Sequence, residues 1–504
     1  MIVRQRLAHL RASTVVVICL VALVCAGAAS AGPPGRWDPI AQGPNVPGSM
    51  ASELGLARTA DGRLHVAWKE QAPTRSTGPQ LVRIAHAWVS AAGRLFGNRR
   101  FIGDWVGMGD PELVVESGGG LRVYFGGLRT TQAGEPLAGL LTATLPGVDP
   151  GWNASWSTPA VIHGRNQAGA RNLSVTVARD GTPYQAWYGA GGIYLHRGLD
   201  AALGDNLFTA GPTVNQFGPT VVDDAAGRLW VSWCGFGGNA GGLFVQRADP
   251  ASGAPIGAAR KLPGSTTPYQ GAQVSTCNLE RTDIRRTPMV ARAGGGVFIA
   301  GSTGYPGLRR VNVWRIDPSG QIPAGSFVVG EGAFPHYTPA LAAAPDGRIW
   351  VAWHEPTSAQ GTIAARRSNR TGTVWGEPVR VRAPGNWMLG AVNIAAQADR
   401  LDVLGLTHTG QPLNSVQHTQ LLPGLTLRHV RAERRPNGSV ALTFRVTDAG
   451  DPLAGARVTV GGVSDLTGGN GVATVVLAAP RPGTLRATAS RAGYVEDTIG
   501  VRCC

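Results

Sequence analysis

Apolar and polar positions alternate over short stretches along most of the chain, and they do so in a phrase that keeps returning. Asp61–Trp68, Ala226–Trp233 and Asp346–Trp353 share the pattern of a turn with Gly-Arg, followed by an extended run that ends in tryptophan. Weaker copies lie at Gly119–Phe125, Asp180–Trp187, Gly295–Ala300 and Asp399–Leu404, which makes seven. Leu64, Val66 and Trp68 fall on one face of a strand by the period-two rule, and Ala67 falls on the other. The second face is also apolar or small, as in Trp230 and Ser232 or Trp350 and Ala352. An apolar strand such as Pro339–Ala344 precedes each turn, and glycine supplies the positive φ that the turn requires. Strands covered on both faces suit sheets stacked between other sheets, and a repeat of such units describes an array of β-propeller blades.

The units run over 55–103, 111–164, 172–212, 218–264, 287–330, 338–385 and 389–423, each with room for four strands. The reading is an all-β chain with a seven-bladed propeller. The copies around Gly119 and Gly295 are degenerate, so counts of six or eight also fit. A strand near Arg36–Ala41 is expected to close the ring by pairing with the last blade. The abundance of Gly and Pro, without a long amphipathic helix, agrees with many short strands and turns.

The N-terminal residues change the picture. Arg4, Arg6 and Arg11 precede an apolar run, Thr14–Cys25, and Ala29-Ser30-Ala31 fits a cleavage site. Residues 1–31 therefore read as a secretory signal peptide and the protein as secreted. A membrane anchor is the alternative, but the run is short for a span, and no later stretch is long and apolar enough. A lipoprotein reading at Cys25 is weakened by Val24. The formal charge of +15 is carried almost wholly by Arg, with Lys69 and Lys261 the only lysines. This fits acidic partners such as anionic glycans or cell-wall polymers, although a coding preference for Arg accounts for it more simply. The arginines are scattered and no nucleic-acid-binding motif is present, so nucleic acid is not an expected partner. No membrane association is expected after signal cleavage, and a monomer is expected.

Four cysteines follow the signal segment: Cys234, Cys277, Cys503 and Cys504. Four cysteines allow three connectivities. Under the propeller reading, Cys234 and Cys277 share a rim at one blade boundary, which makes Cys234–Cys277 the preferred disulfide in an extracellular protein. Cys503 and Cys504 are left to pair with each other, to pair with another chain, or to stay reduced. No HExxH, CxxC pair, Walker or GxSxG motif occurs and the histidines are dispersed, so neither a metal nor a cofactor is expected.

In a propeller, the loops joining the second and third strands of a blade share one face with the blade-to-blade connections. The first set carries Glu70, His354 and Glu355. The second carries Asp104, Asp110, Arg171, Glu280, Arg285, Arg286, His336, Tyr337 and Trp387. These groups are the candidates for a sugar or another polar ligand, with Trp387 the best placed for stacking. The plain alternative is that surface loops are polar anyway, and that tryptophans at strand ends such as Trp68 are interblade core.

The DG-R-[LI]-x-V-[AS]-W strands resemble those of the sialidase-like propeller superfamily, over about 55–423. Ser368–Trp375 is similar to that family's Asp-box turn but carries Arg370 at the Asp position. The resemblance implies an arginine clamp on a substrate carboxylate, a Tyr nucleophile activated by Glu, and an Asp acid/base. Asp110, Arg171, Glu280, Arg286 and Tyr337 stand in loops that suit those roles. Residues 424–502 change character: Asp451–Val458, Pro482–Ala489 and Ala492-Gly493-Tyr494 resemble bacterial Ig-like or carboxypeptidase-regulatory-like β-sandwich modules. The expected organisation is a signal peptide (1–31), a propeller (32–423) and a small sandwich (424–502). The leading functional reading is binding of extracellular carbohydrate or cell-surface polymer through the loop face. A sialidase-type glycoside hydrolase and a protein-interaction or adhesion scaffold are the alternatives.

Overall fold

The computed structural model describes residues 35–503 apart from 44–53, 73–80, 110, 130–136, 148–153, 164–170, 190–191, 212–214, 237–240, 271, 276–285, 305, 323–324, 334, 357–360, 384–391, 409–413, 479 and 481. Seven antiparallel sheets of the four-stranded meander type follow one another around a ring. Blade 1 is Gly55–Arg58, Leu64–Gln71, Val82–Val89 and Leu95–Trp105. Blade 2 is Glu112–Val115, Leu121–Arg129, Leu137–Leu145 and Ala160–His163, with Gly107–Met108 added beside the second strand. Blades 3 and 4 begin at Arg171–Val177 and Asn215–Asp223, and blades 5 and 6 at Met289–Ala291 and Tyr337–Ala343. Blade 7 takes Val392–Ala396, Leu401–His408 and Asn414–Leu421 from the end of the ring, and Asp38–Gly43 from its start as the outermost strand. The expected closing strand is therefore present, and the described residues form seven blades.

The repeated phrase folds as its chemistry requires. Gly62, Gly119, Gly181, Gly227, Gly295 and Gly347 all sit at φ between +70° and +85°. The two degenerate copies keep the glycine and so keep the turn, because left-handed backbone is the demand that an L side chain meets poorly. Asp61 and Asp346 each accept the backbone N–H of the arginine two residues on, at 3.2 Å. In blade 4, Ala226 stands at that position and Asp224 takes over. Its carboxylate accepts Ala226 N, Arg228 N and Trp230 Nε1, and reaches Gly296 N of blade 5 at 2.7 Å.

Each pair of consecutive blades encloses its own apolar cluster. Trp68 packs with Leu404 and Val416 between blades 7 and 1; Trp233 packs with Tyr184 and Phe208 between blades 3 and 4. Trp68, Trp187, Trp233 and Trp353 are fully or almost fully buried, so the strand-end tryptophans are interblade core. Burying a large side chain contributes about 1.5–3 kcal/mol, and the ring distributes that gain over every interface.

Beyond the propeller, Thr426–Arg434, Val440–Asp448, Asp451–Pro452 and Val472–Leu477 form one sheet. Val463–Leu466, Arg457–Val460, Gly483–Ser490 and Asp497–Cys503 form a second. Leu442, Phe444, Val458, Ala487 and Val501 share one buried core, which makes this pair a β-sandwich. It docks on the face of blade 6 that carries the Gly turn. Arg367 forms a buried ion pair with Asp448 and meets Tyr494 Oη at 3.3 Å, and Arg348 reaches Asp451 at 2.7 Å. Among the described residues, those at the opposite face, where the inner strands start, make none of these contacts. No helix among the described residues is long and apolar enough to cross a membrane. Cys234 and Cys503 are each disulfide-bonded; Cys277 and Cys504 lie outside the described residues.

Candidate functional site

The seven inner strands converge on a central cavity of about 330 Å³. Its lining includes the starts of several of those strands: Leu54, Glu112, Arg286–Met289, Thr338 and Val392–Ile394. These starts belong to the face opposite the docked sandwich, so the cavity is the mouth of the ring's channel on that side. Most of the wall is apolar (Leu56, Val221, Met289, Ile394) or hydroxylic (Ser174, Thr220, Thr287, Ser302). Among the described residues lining it, Arg286 and Glu112 are the only charged ones.

The local sequence fixes both groups. Glu112 follows Pro111 and opens the inner strand of blade 2. Arg286 precedes Thr287-Pro288, where the chain is tied twice to blade 4. Thr287 N donates to Gly218 O at 2.7 Å, and Thr220 Oγ1 donates to Thr287 O at 2.5 Å. From there the guanidinium crosses the cavity. It donates to the Glu112 carboxylate in blade 2, and through its other terminal nitrogen to Leu54 O at the start of blade 1, at 3.5 Å. Both side chains are largely shielded from water, with 18% and 14% exposure. A planar guanidinium held in a partly desolvated pocket recognises a carboxylate strongly and in a set orientation. Here the Glu112 carboxylate takes that place.

Three inner strands carry a bulge at their channel-mouth ends. Asn172, Gly218 and Thr338 have φ of +51°, +56° and +54°, and the register slips there in blades 3, 4 and 6. Bulges re-aim side chains at rims and beside sites. Thr338 lines the cavity.

The residues expected from sequence divide into three groups. Arg286 lines the cavity. Tyr337 opens the inner strand of blade 6 opposite His354, half-buried and one residue from Thr338, and Arg171 opens that of blade 3 opposite Tyr188. Asp110, Glu280, Arg285, Trp387 and Cys277 lie outside the described residues. The others are placed away from a ligand. Glu70 is 1% exposed. It accepts Trp68 Nε1 at 3.0 Å, Arg83 at 2.6 and 2.9 Å and Arg99 at 3.1 Å. Glu355 repeats the device, with Trp353 Nε1 at 2.9 Å and Arg380 at 3.0 Å. The equivalent register of the two glutamates is therefore an internal strut that satisfies a buried indole. His336 is buried against Trp353, with ring centroids 5.9 Å apart, and His354 is 1% exposed, so neither faces a ligand. Asp104 is the extra residue of a bulge at φ +130° and lies in a separate shallow groove with Phe101, Trp105 and Trp156.

Glu112 is the residue that sequence reasoning passed over. Its signal was its place: the first carboxylate after the connection into blade 2, in register with the other strand starts. The turn Ser368–Trp375 is closed without an Asp. Asn369 Oδ1 accepts Thr373 N at 2.8 Å and Val374 N at 3.1 Å, while Arg370 N turns to Asp451 of the sandwich at 3.2 Å.

No family model matches the chain, and no curated protein matches it. Solved structures resemble it at low identity. A protein of unknown function from Dyadobacter fermentans is 12% identical, over 77% of this chain and 99% of its own, with a TM-score of 0.43. The polysaccharide lyase Uly1 is 12% identical over 73% and 89%, with a TM-score of 0.44. The Hadza microbial sialidase Hz136 is 14% identical over 74% and 66%, with a TM-score of 0.35. At these scores the likeness carries nothing about this chain's activity, and the functional reading rests on the channel mouth.

Proposed function

We propose that the protein is a secreted, carbohydrate-active propeller that takes a carboxylate-bearing sugar of an extracellular glycan at the channel mouth and cleaves its glycosidic bond in the sialidase manner. The Arg286–Glu112 pair across the cavity carries this reading. Arg286 is held where an anionic sugar exchanges for the Glu112 carboxylate, and the displaced Glu112 is then a carboxylate beside the bound sugar. Tyr337, at the adjoining strand start, is the candidate nucleophile, which requires a neighbouring carboxylate because an unperturbed phenol has a pKa of about 10.

Binding without cleavage is the second reading. It is favoured by one observation: Glu112 is the single carboxylate among the described residues of the cavity wall, and hydrolysis needs a second acid/base group.

The test is turnover of fluorogenic sialosides, glucuronides and neutral galactosides by the mature protein, with a glycan array in parallel. Turnover of an acidic glycoside that is lost in Glu112→Gln and Tyr337→Phe supports hydrolysis. Array binding to acidic glycans that is lost in Arg286→Ala, without turnover, moves the assignment to binding. Neither turnover nor binding of any acidic sugar overturns the proposal.

A further inference from the structure

Away from the channel, the ring packs two dispersed histidines and an aspartate at one point. His163 ends the outer strand of blade 2, His196 lies in Gly192–Arg197 of blade 3, and Asp205 opens the next strand of that blade, directly opposite His196. His163 Nε2 is 2.9 Å from Asp205 Oδ2, and His196 Nδ1 is 3.1 Å from Asp205 Oδ1. The three donor atoms lie within 4.8 Å of one another. His196 is fully buried, while Asp205 and His163 keep 13% and 22% exposure.

We infer that His163, His196 and Asp205 form a binding site for a divalent transition metal of the Zn²⁺ class, tying blade 2 to blade 3. Two imidazole nitrogens and a carboxylate are a common donor set for such an ion, with bonds of about 2.0–2.2 Å. Ligand atoms around a metal at that radius stand roughly 3–3.5 Å apart, close to the two separations seen here. The Gly204 carbonyl, 3.1 Å from His196 Nδ1, brings an oxygen to the same place. Solvent reaches the cluster from the His163 side. The competing account is two imidazole-to-carboxylate hydrogen bonds and no ion. It leaves His196 Nε2 buried without a partner, as the metal site also does. Because the outer nitrogens of both rings lack hydrogen-bond partners, the support that usually raises metal affinity is missing. The site is therefore expected to bind more weakly than a closed structural zinc centre, and to be lost to chelators.

The experiment uses the full mature chain without a histidine tag, stripped with EDTA, dialysed, and titrated with ZnSO₄ or CoCl₂. The expected results are one equivalent of metal by elemental analysis, visible d–d bands with Co²⁺, and a melting temperature that rises with zinc concentration. His163→Gln and Asp205→Asn should each lose the equivalent and the bands, while His429→Gln, in the sandwich, should keep both. The cobalt spectrum of the unmutated protein decides the matter even where a variant misfolds. No d–d bands and no stoichiometric metal, or equal retention by a folded His163→Gln, overturns the assignment.

Discussion

Replacing Asp402 with asparagine tests how the ring is locked. Asp402 is 1% exposed and stands where blade 7 meets blade 1. Its carboxylate accepts His418 Nε2 at 2.7 Å, Gln420 Nε2 at 2.9 Å and Gln397 Nε2 at 2.9 Å, all from blade 7, and Arg58 at 2.5 Å from blade 1. Gln420 continues across the seam to Ala91 O at 3.1 Å. Burial raises the Asp402 pKa, but the His418 hydrogen bond and the His418 and Arg58 charges outweigh it, so the carboxyl is held below its ordinary value. Removing the charge leaves a largely buried guanidinium without its carboxylate, with the Gly62 carbonyl at 2.8 Å still accepting from it, and breaking one side of a buried pair costs about 3–5 kcal/mol. With ΔS of unfolding near 2 cal/mol/K per residue over roughly 390 residues, about 4 kcal/mol corresponds to about 5 °C in Tm. The assay is thermal and urea unfolding of Asp402→Asn, Arg58→Ala and the double variant at pH 7. The double variant should lose less than the sum of the singles. Since the folded pKa is depressed, the contribution is full above the ordinary Asp value and disappears as pH falls through the folded one. An Asp402→Asn protein within about 1 kcal/mol of the parent, or strictly additive variants, would refute the view that this node locks the ring.

Three further outcomes are expected. Burial holds His65 at about 4, and His86, against it at 3.1 Å, well below the ordinary histidine value. The unfolded chain therefore binds more protons below pH 6.5, and stability should fall between pH 6.5 and 4, by about 3 kcal/mol for His65 alone; a pH series of melts that is flat there, or equally steep in His65→Asn, contradicts this. Arg367→Ala, which leaves Asp448 buried beside Arg348 at 3.6 Å, should release the sandwich and separate its calorimetric transition from that of the propeller; one unchanged transition would show that the ion cluster does not couple them. A Cβ at Gly361 would lie 2.4 Å from His354 Nε2, so Gly361→Ala should destabilise blade 6 by about 1–3 kcal/mol in urea unfolding, and Gly361→Ala/His354→Ala should recover part of it.

The fold was legible because its determinants are local. A positive-φ glycine, a period-two strand and a terminal tryptophan recur in register, and the Asp38–Gly43 strand finds the one blade with an open edge. The site was less legible because its determinants are relations between blades. Glu70 and Glu355 recur at one register, which reads equally well as a ligand set or as a strut. Only their indole partners, two residues back along the same strand, decide for the strut. Glu112 and Arg286 are 174 positions apart and meet only because blades 2 and 5 face each other across the channel. His163 and His196 looked dispersed for the same reason.

The two faces of the ring carry different loads, and that difference bears on where chemistry belongs. On the Gly-turn face, charged groups are consumed in tethers: Arg348 by Asp346 and Asp451, and Arg367 by Asp448. The sandwich covers part of that face and fixes it. On the other face the inner strands start, and bulges at Asn172, Gly218 and Thr338 bend three of the strand starts. The ties to the sandwich and the Asp402 cluster lie away from the channel mouth, where the Arg286–Glu112 pair spans the cavity. Arg286 is anchored through the backbone of Thr287 to blade 4, so its guanidinium can change partner while its position is kept. Under the proposed function, an anionic sugar replacing Glu112 there would exchange one charge-assisted contact for another, and selectivity would follow from which carboxylate reaches Arg286 between the hydroxyl-bearing walls of Ser174, Thr220 and Thr287.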